Sequence, residues 1–172
     1  MTYEKNLYYS IVTSSDRCSA GNMYDKSGVL IEKIMNNSKF TLHSRVILPD
    51  EFSVLEAQLI EFFEDEKINL ILTTGGTGLA KRDVVPDVTE KLIDIDVPGI
   101  PELMRVNSYH LNKMSILSRA KCGIRNKTLI LNLPGSPAAI EDNLGNLINT
   151  IEHAVEILIG SHTGNHPKWF YP

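Results

Sequence analysis

The segment from Leu70 to Asp83, LILTTGGTGLAKRD, runs from an apolar strand into a glycine loop and straight on to charge. Gly75, Gly76 and Gly78 remove the side chains that keep a ligand off the backbone, and they permit the positive φ angles by which successive N–H groups point at one anion. Lys81 and Arg82 add positive charge beside them. Asp83 is the odd member, because a carboxylate next to a phosphate site repels the phosphate unless a divalent cation lies between the two. A magnesium-bound phosphate ester resolves the conflict; a strand-end turn carrying solvated charges is the plainer reading of the same residues.

Two standard glycine motifs are absent. A Walker A loop ends in Gly-Lys-Ser/Thr, and no such tripeptide occurs. A dinucleotide fingerprint that starts at Gly76 reaches Gly78 and then meets Lys81 where its third glycine belongs. That gap, and the lack of an acid at the end of a suitable second strand, count against a nicotinamide-dependent oxidoreductase.

Apolar, β-branched runs at residues 8–12, 41–48, 69–74 and 128–133 read as strands, with segments of helical period between them. One helix is expected to begin with Ser53 as cap and Glu56 as its capping-box partner, burying Leu55, Leu59, Phe62 and Phe63. A longer one starts at Ser136-Pro137 and ends at Gly160, with Ile140, Leu144, Leu147, Ile151, Val155 and Leu158 on its inner stripe. Such alternation predicts an α/β fold, a parallel or mixed sheet with helices on both faces, and a ligand site at the carboxyl ends of the strands. If the strands are parallel, Thr13 to Arg17, Pro49 to Glu51, Thr74 to Gly78 and Pro134 to Ser136 meet on one rim.

At 172 residues and 42% apolar composition the chain is long enough for one full core. Residues 1–160 are expected to form a single domain and 161–172 an irregular tail. A net charge of −4 with scattered Lys and Arg argues against a nucleic-acid surface. Cys18 and Cys122 lack CxxC or His spacing and suit reduced core thiols. The apolar start reaches Thr13-Ser14-Ser15-Asp16 too soon for a signal peptide or spanning helix, so a cytoplasmic protein with no membrane partner is expected.

On the rim, Asp50 and Asp83 can share one magnesium ion whose other ligands are phosphate oxygens and water; Asp50 also reads as the cap of the following helix. Ser136 can cap its helix, touch an anion at the helix N-terminus, or do both. Arg119 and Arg125 are candidate phosphate clamps or solvated surface. His43 and His110 have no metal spacing, and no nucleophilic triad pattern occurs.

Together these residues resemble the molybdopterin adenylyltransferases, a family that includes the G domain of gephyrin and its plant counterpart. The resemblance rests on Ser15-Asp16-Arg17, Asp25-Lys26-Ser27-Gly28, Leu48-Pro49-Asp50-Glu51, Thr74 to Gly78 with Arg82-Asp83-Val84, Pro98-Gly99 with Glu102-Met104-Arg105, Leu117-Ser118-Arg119, and Asn132 to Ser136, in that order. It implies a three-layer α/β sandwich with a mixed, mainly parallel sheet, a homotrimer, and transfer of AMP from Mg-ATP to the terminal phosphate of molybdopterin with release of pyrophosphate. By resemblance, Asp50 and Asp83 are the catalytic acids that hold Mg2+. Gly75, Gly76, Thr77 and Gly78, with Thr74, form the nucleotide loop, and Ser15, Pro134, Gly135 and Ser136 line the same pocket. Arg17 and Arg119 are candidates for phosphate contacts.

Val85 stands where many members have threonine, which removes a hydroxyl and keeps the acid. A sister branch carries its acid in a different setting, and Arg82-Asp83-Val84-Val85-Pro86 matches the adenylyltransferases. No second domain for molybdenum insertion is expected, so a separate protein performs that step. The rival expectation is a non-catalytic molybdopterin carrier or trimeric scaffold.

Overall fold

The computed structural model describes residues 6–160. The expected tail, 161–172, lies outside the described residues. Six strands form one sheet: β1 (Leu7–Ser14), β2 (Phe40–Leu48), β3 (Ile68–Thr74), β4 (Ile95–Asp96), β5 (Cys122–Arg125) and β6 (Thr128–Leu133). Their spatial order is β2-β1-β3-β6-β5-β4. The first four in that order pair in parallel, whereas β5 runs antiparallel to β6 and β4 antiparallel to β5. The sheet is therefore mixed and mainly parallel, and its four parallel strands end on one rim.

The four strands legible in the sequence all form, within a residue or two of their expected bounds. The antiparallel pair β4 and β5 is not foreseen. These strands are two and four residues long, and β5 carries Gly123, so neither shows an apolar alternation. Gly123 is needed where it is, since a Cβ there would come within 2.5 Å of Ile93 Cδ1 and 2.8 Å of the Ile95 carbonyl oxygen.

Helices cover both faces, as alternation of strand and helix requires. On one side α2 (Lys26–Met35), α5 (Gly99–Tyr109) and α6 (Pro137–Leu158) close over Tyr9, Ile11, Leu70, Leu72, Leu129 and Leu131. On the other, α3 (Phe52–Glu64) and α4 (Val85–Leu92) close over Val12, Ile71 and Ile130. A short helix α1 (Asp16–Ser19) follows β1. The two-residue side-chain period of β6 sends Leu129, Leu131 and Leu133 to the first face and Ile130 to the second.

α6 begins and ends as its sequence foretells: Ser136 caps it by accepting from the Ala139 N–H, Pro137 follows in the first turn, and Gly160 closes it at φ 70°. The capping box at Ser53 does not form. α3 starts two residues earlier, with Glu51 as its cap residue and its carbonyl accepting from Leu55 N–H, which leaves Ser53 exposed inside the first turn. Glu56, freed from a capping role, pairs with Lys91 of α4 at 2.5 Å.

One polar residue ties the second face together. Asn132 on β6 is fully buried; its Nδ2 donates to Thr73 Oγ1 at 3.0 Å and Thr89 Oγ1 at 2.9 Å, while its Oδ1 accepts from Lys121 N–H at 3.0 Å. It thus joins β6, β3, α4 and the segment entering β5. Replacing it with alanine strands buried partners and is expected to cost about 2 kcal/mol, read as a lower urea midpoint at unchanged slope.

Candidate functional site

The rim is assembled by close backbone approaches between loops that leave neighbouring strands. Gly75 and Gly76 take φ values of 89° and 59°. A Cβ on Gly75 would collide with the Ser14 carbonyl oxygen, and one on Gly135 would lie 3.2 Å from the Gly75 Cα. The loops after β1, β3 and β6 therefore touch backbone to backbone, which only glycine allows at these positions. Side chains fix the same contacts: buried Thr74 donates through Oγ1 to the Pro134 carbonyl at 2.8 Å, and Ser27 through Oγ to the Gly135 carbonyl at 2.7 Å.

The two acids flank this loop. Asp50 lies at the end of β2, where its Oδ1 accepts from Ser14 Oγ at 2.5 Å and its Oδ2 from the Asp16 N–H at 3.0 Å. Its own N–H donates to Asp16 Oδ1 at 3.0 Å. Asp50 therefore bridges to the loop after β1 and does not cap α3. A Cβ on Gly76 would lie 3.6 Å from Asp50 Oδ1, and one on Gly78 would lie 2.8 Å from Asp83 Oδ2, so each acid overlooks one glycine of the loop. Asp83 Oδ2 also accepts from the Ala80 N–H at 2.8 Å, which folds residues 80–83 into a tight turn.

Two arginines lie beside the loop, and only one of them grips it. Arg119 donates from its backbone to the Thr77 carbonyl at 2.8 Å and from Nε to the Gly78 carbonyl at 2.9 Å. Its terminal nitrogens reach the Asp83 carbonyl and both carboxylate oxygens of Asp87, the latter at 2.8 and 3.0 Å. Arg119 thus sits at the loop as expected, but as its brace: most of its N–H groups face protein acceptors. Hydrogen bonding to Asp87 raises its already high pKa. Arg82 makes a two-pronged contact with Asp16, Nε to Oδ2 at 2.6 Å and Nη2 to Oδ1 at 2.7 Å. The Arg82 guanidinium holds the Asp16 carboxyl below its usual range, helped by the Asp50 N–H, and Asp16 in turn raises Arg82. The Arg82 charge assigned to the loop from sequence is turned toward Asp16.

Around this centre lie two clefts that share Gly135. One, of about 420 Å³, is bordered by Ser15, Arg17, Asp25, Lys26, Thr74 and Gly75. The other, of about 360 Å³ and more apolar, is bordered by Met104, Leu111, Pro134, Ser136 and Asn143. Asp50, Lys81 and Arg82 edge a further open groove. The largest concavity among the described residues, about 980 Å³, lies at the opposite end of the sheet against Asn69, Asn126 and Lys127. It gathers none of the rim's acids or glycines, and the physical case for ligand binding favours the rim, where strand carboxyl ends converge.

Of the sequence-predicted candidates, Ser15, Asp50, Thr74 to Gly78, Asp83, Arg119 and Pro134 to Ser136 lie on the rim. Ser15 caps α1 by accepting from the Cys18 N–H at 3.3 Å. Arg125, the other candidate clamp, is elsewhere: it stacks over the Phe63 ring at 5.8 Å and donates to the Leu92 carbonyl at 3.2 Å. His43 lies on the edge strand β2, 3.5 Å from Asp65, and His110 is exposed at the end of α5. Sequence reasoning puts Ser14 and Asp16 on the rim with the rest of residues 13–17 but gives neither a role, because it misses their pairing with Asp50 and Arg82. Their partners lie 36 and 66 residues away, and no local pattern announces such pairs.

Among the described residues no group of three or more His, Cys, Asp or Glu converges to hold a metal ion. Two carboxylates beside a glycine loop nevertheless suit Mg2+, which takes one or two protein oxygens and completes its shell with phosphate and water.

A mixed α/β sheet whose glycine loop, paired acids and helix N-terminus share one rim defines a domain built to hold phosphate esters. Comparison with known proteins narrows that class: residues 10–153 match the family model described as "Probable molybdopterin binding domain", and the chain belongs to that family. It is 37% identical to the molybdopterin adenylyltransferase of Helicobacter pylori (strain ATCC 700392 / 26695) over 163 residues, covering 92% of this chain and 91% of that protein. It is 36% identical to the molybdopterin adenylyltransferase of Escherichia coli K12, covering 94% and 90%. The structure resembles the molybdopterin biosynthesis enzyme MoaB of Thermus thermophilus with a TM-score of 0.84 at 36% identity, covering 90% of this chain and 97% of that one. A MogA structure gives 0.83 at 31%, covering 88% and 99%. The mixed three-layer architecture is that of these structures.

The backbone geometry at Gly75 yields a direct expectation. Gly75→Ala combines a positive φ with a clash against the Ser14 carbonyl, and should lower stability by about 2 kcal/mol or more in urea denaturation.

Proposed function

We propose that this protein is a molybdopterin adenylyltransferase, transferring AMP from Mg-ATP to the terminal phosphate of molybdopterin. The observation that carries the reading is the placement of Asp50 against Gly76 and of Asp83 against Gly78, so that one acid overlooks each end of the glycine loop. The relatives' shared name supports the same activity over nearly the whole chain. The fold likeness to MoaB and MogA is equal within 0.01 in TM-score, so the choice of activity rests on the sequence relatives and on Arg82-Asp83-Val84.

In the proposed reaction a phosphate oxygen of molybdopterin forms a bond to the α-phosphorus of ATP, and the bond from that phosphorus to the pyrophosphate oxygen breaks. The protein's task is to position two polyanions and disperse their charge. Gly75 to Gly78 and the N-terminus of α6 at Ser136 present N–H groups to phosphate oxygens. Asp50 and Asp83 would hold Mg2+, which when bound neutralises phosphate charge and polarises the phosphorus–oxygen bond. The braces at Arg119 and Thr74 keep the loop from moving as charge shifts. Ser15 and Arg17 border the cleft beside Gly75 and supply a hydroxyl and a cation to the second substrate.

The test is pyrophosphate release from Mg-ATP with and without molybdopterin. Asp83→Asn, which keeps shape and removes the charge, should lower turnover at least about a hundredfold while leaving the fold and nucleotide binding largely intact. Tight molybdopterin binding without release would instead make the protein a carrier or scaffold, and an Asp83→Asn enzyme at full rate would remove that residue's role.

The homotrimer and the cytoplasmic setting belong to the same proposal, as does a separate molybdenum-insertion protein. No helix among the described residues is long and apolar enough to cross a membrane. Self-association is supported by an apolar surface on α5 and the 3₁₀ turn after it, where Val106, Leu111 and Met114 are 69%, 65% and 62% exposed. Large apolar side chains left this exposed on neighbouring turns are commonly buried between subunits. Val106→Glu combined with Met114→Glu is expected to convert the assembly to monomers in sedimentation velocity.

A further inference from the structure

The contacts around Asp16 form a closed chain that runs from one proposed acid to the other. Asp50 and Asp16 exchange backbone-to-carboxylate hydrogen bonds, each 3.0 Å. Asp16 then takes both prongs of Arg82, and Arg82 is covalently adjacent to Asp83. Ser14 Oγ holds the remaining Asp50 oxygen. The glycine loop is closed behind this chain by Val85 N–H donating to the Gly76 carbonyl at 3.3 Å, and on its far side by Arg119.

Stability does not explain the arrangement. The side chains of Arg82 and Asp16 are 55% and 43% exposed, and an exposed ion pair adds little to folding. Asp16 and Arg82 are separated by 66 residues, so the pair serves no helix or turn of its own. What it does is hold the loop after β1 against the loop that carries Asp83. Bidentate geometry fixes orientation as well as distance, a property an ordinary surface pair lacks.

We propose that Arg82 and Asp16 are a positioning pair that sets the separation of the Asp50 and Asp83 carboxylates for adenylyl transfer, a role that rests on the function proposed above. Arg82 acts through Asp16 and touches neither substrate. Arg82 edges an open groove with Asp50 and Lys81, so rupture of the pair lets the Asp83 turn swing outward without disturbing the core.

The experiment compares Arg82→Ala, Arg82→Lys and Asp16→Asn with the unmodified protein by three readouts: pyrophosphate release, KM for ATP, and hydrogen exchange at the Asp16, Asp50 and Ala80 amides. Arg82→Ala should lower kcat at least tenfold with KM changed less than about threefold, since misplacement of about 1 Å can cost a hundredfold. The three amides should exchange at least tenfold faster while Tm stays within about 2 °C of the unmodified protein, as expected for an exposed pair. Asp16→Asn should reproduce the kcat loss, and Arg82→Lys should recover part of it. Full kcat with unchanged exchange in Arg82→Ala overturns the proposal. So does an inactive Arg82→Ala beside a fully active Asp16→Asn, which makes Arg82 a direct phosphate ligand. If the unmodified protein releases no pyrophosphate, the adenylyltransferase reading fails by itself, while the exchange rates still report whether the pair holds the two loops.

Discussion

The contact on which the rim depends is the passage of the Gly75 backbone against the Ser14 carbonyl. β1 and β3 are hydrogen-bonded neighbours up to Thr13 and Thr74, so the chain leaving each strand competes for the same space. A residue with a side chain at 75 would push the loops apart. With glycine there, the chain turns at once, Gly135 closes in from β6, and three loops form one surface. The N-terminus of α6 follows one residue after Gly135, and Asp50 is drawn to the same surface by its hydrogen bonds to Ser14 and Asp16.

The rim is rigid for a reason that suits polyanion chemistry. Backbone amides stabilise developing charge only if they need not reorganise when it appears. Here Thr74, Ser27 and Arg119 direct their hydrogen bonds to loop carbonyls, those of Pro134, Gly135, Gly78 and Asp83. At Asp83 the peptide unit is held on both sides, because the Val84 N–H donates to the Arg82 carbonyl at 3.0 Å.

Much of this architecture is legible in the amino-acid sequence alone. Long β-branched runs announce β1, β2, β3 and β6, because a buried parallel strand reads as continuous apolar sequence. Ser136-Pro137 and Gly160 announce both ends of α6. The short antiparallel strands β4 and β5 leave no periodic trace, and Ser53 misleads because Glu51 already closes the first turn of α3. At the site, the glycines, Asp50 and Asp83 carry local signals. Asp16 and Ser14 do not, and Arg119 looks like a ligand clamp because sequence shows a charge without showing the Asp87 that meets it. Residue type and spacing reveal what a loop can bind, whereas the pairs that hold the loop are long-range and emerge only in three dimensions.

The strand order has a consequence for how the chain comes together. β6 sits in the middle of the sheet, yet among the described residues it is the last strand to be synthesised. Until residues 128–133 leave the ribosome, β3 keeps an open edge and β5 has only the two-residue β4 beside it. A nascent chain that ends just short of β6 therefore exposes an apolar parallel edge with no partner, the kind of surface that pairs with other chains. The same strand that aligns Pro134 and Gly135 beside the glycine loop also closes the sheet, so a molecule acquires its binding rim and loses its sticky edge in one step.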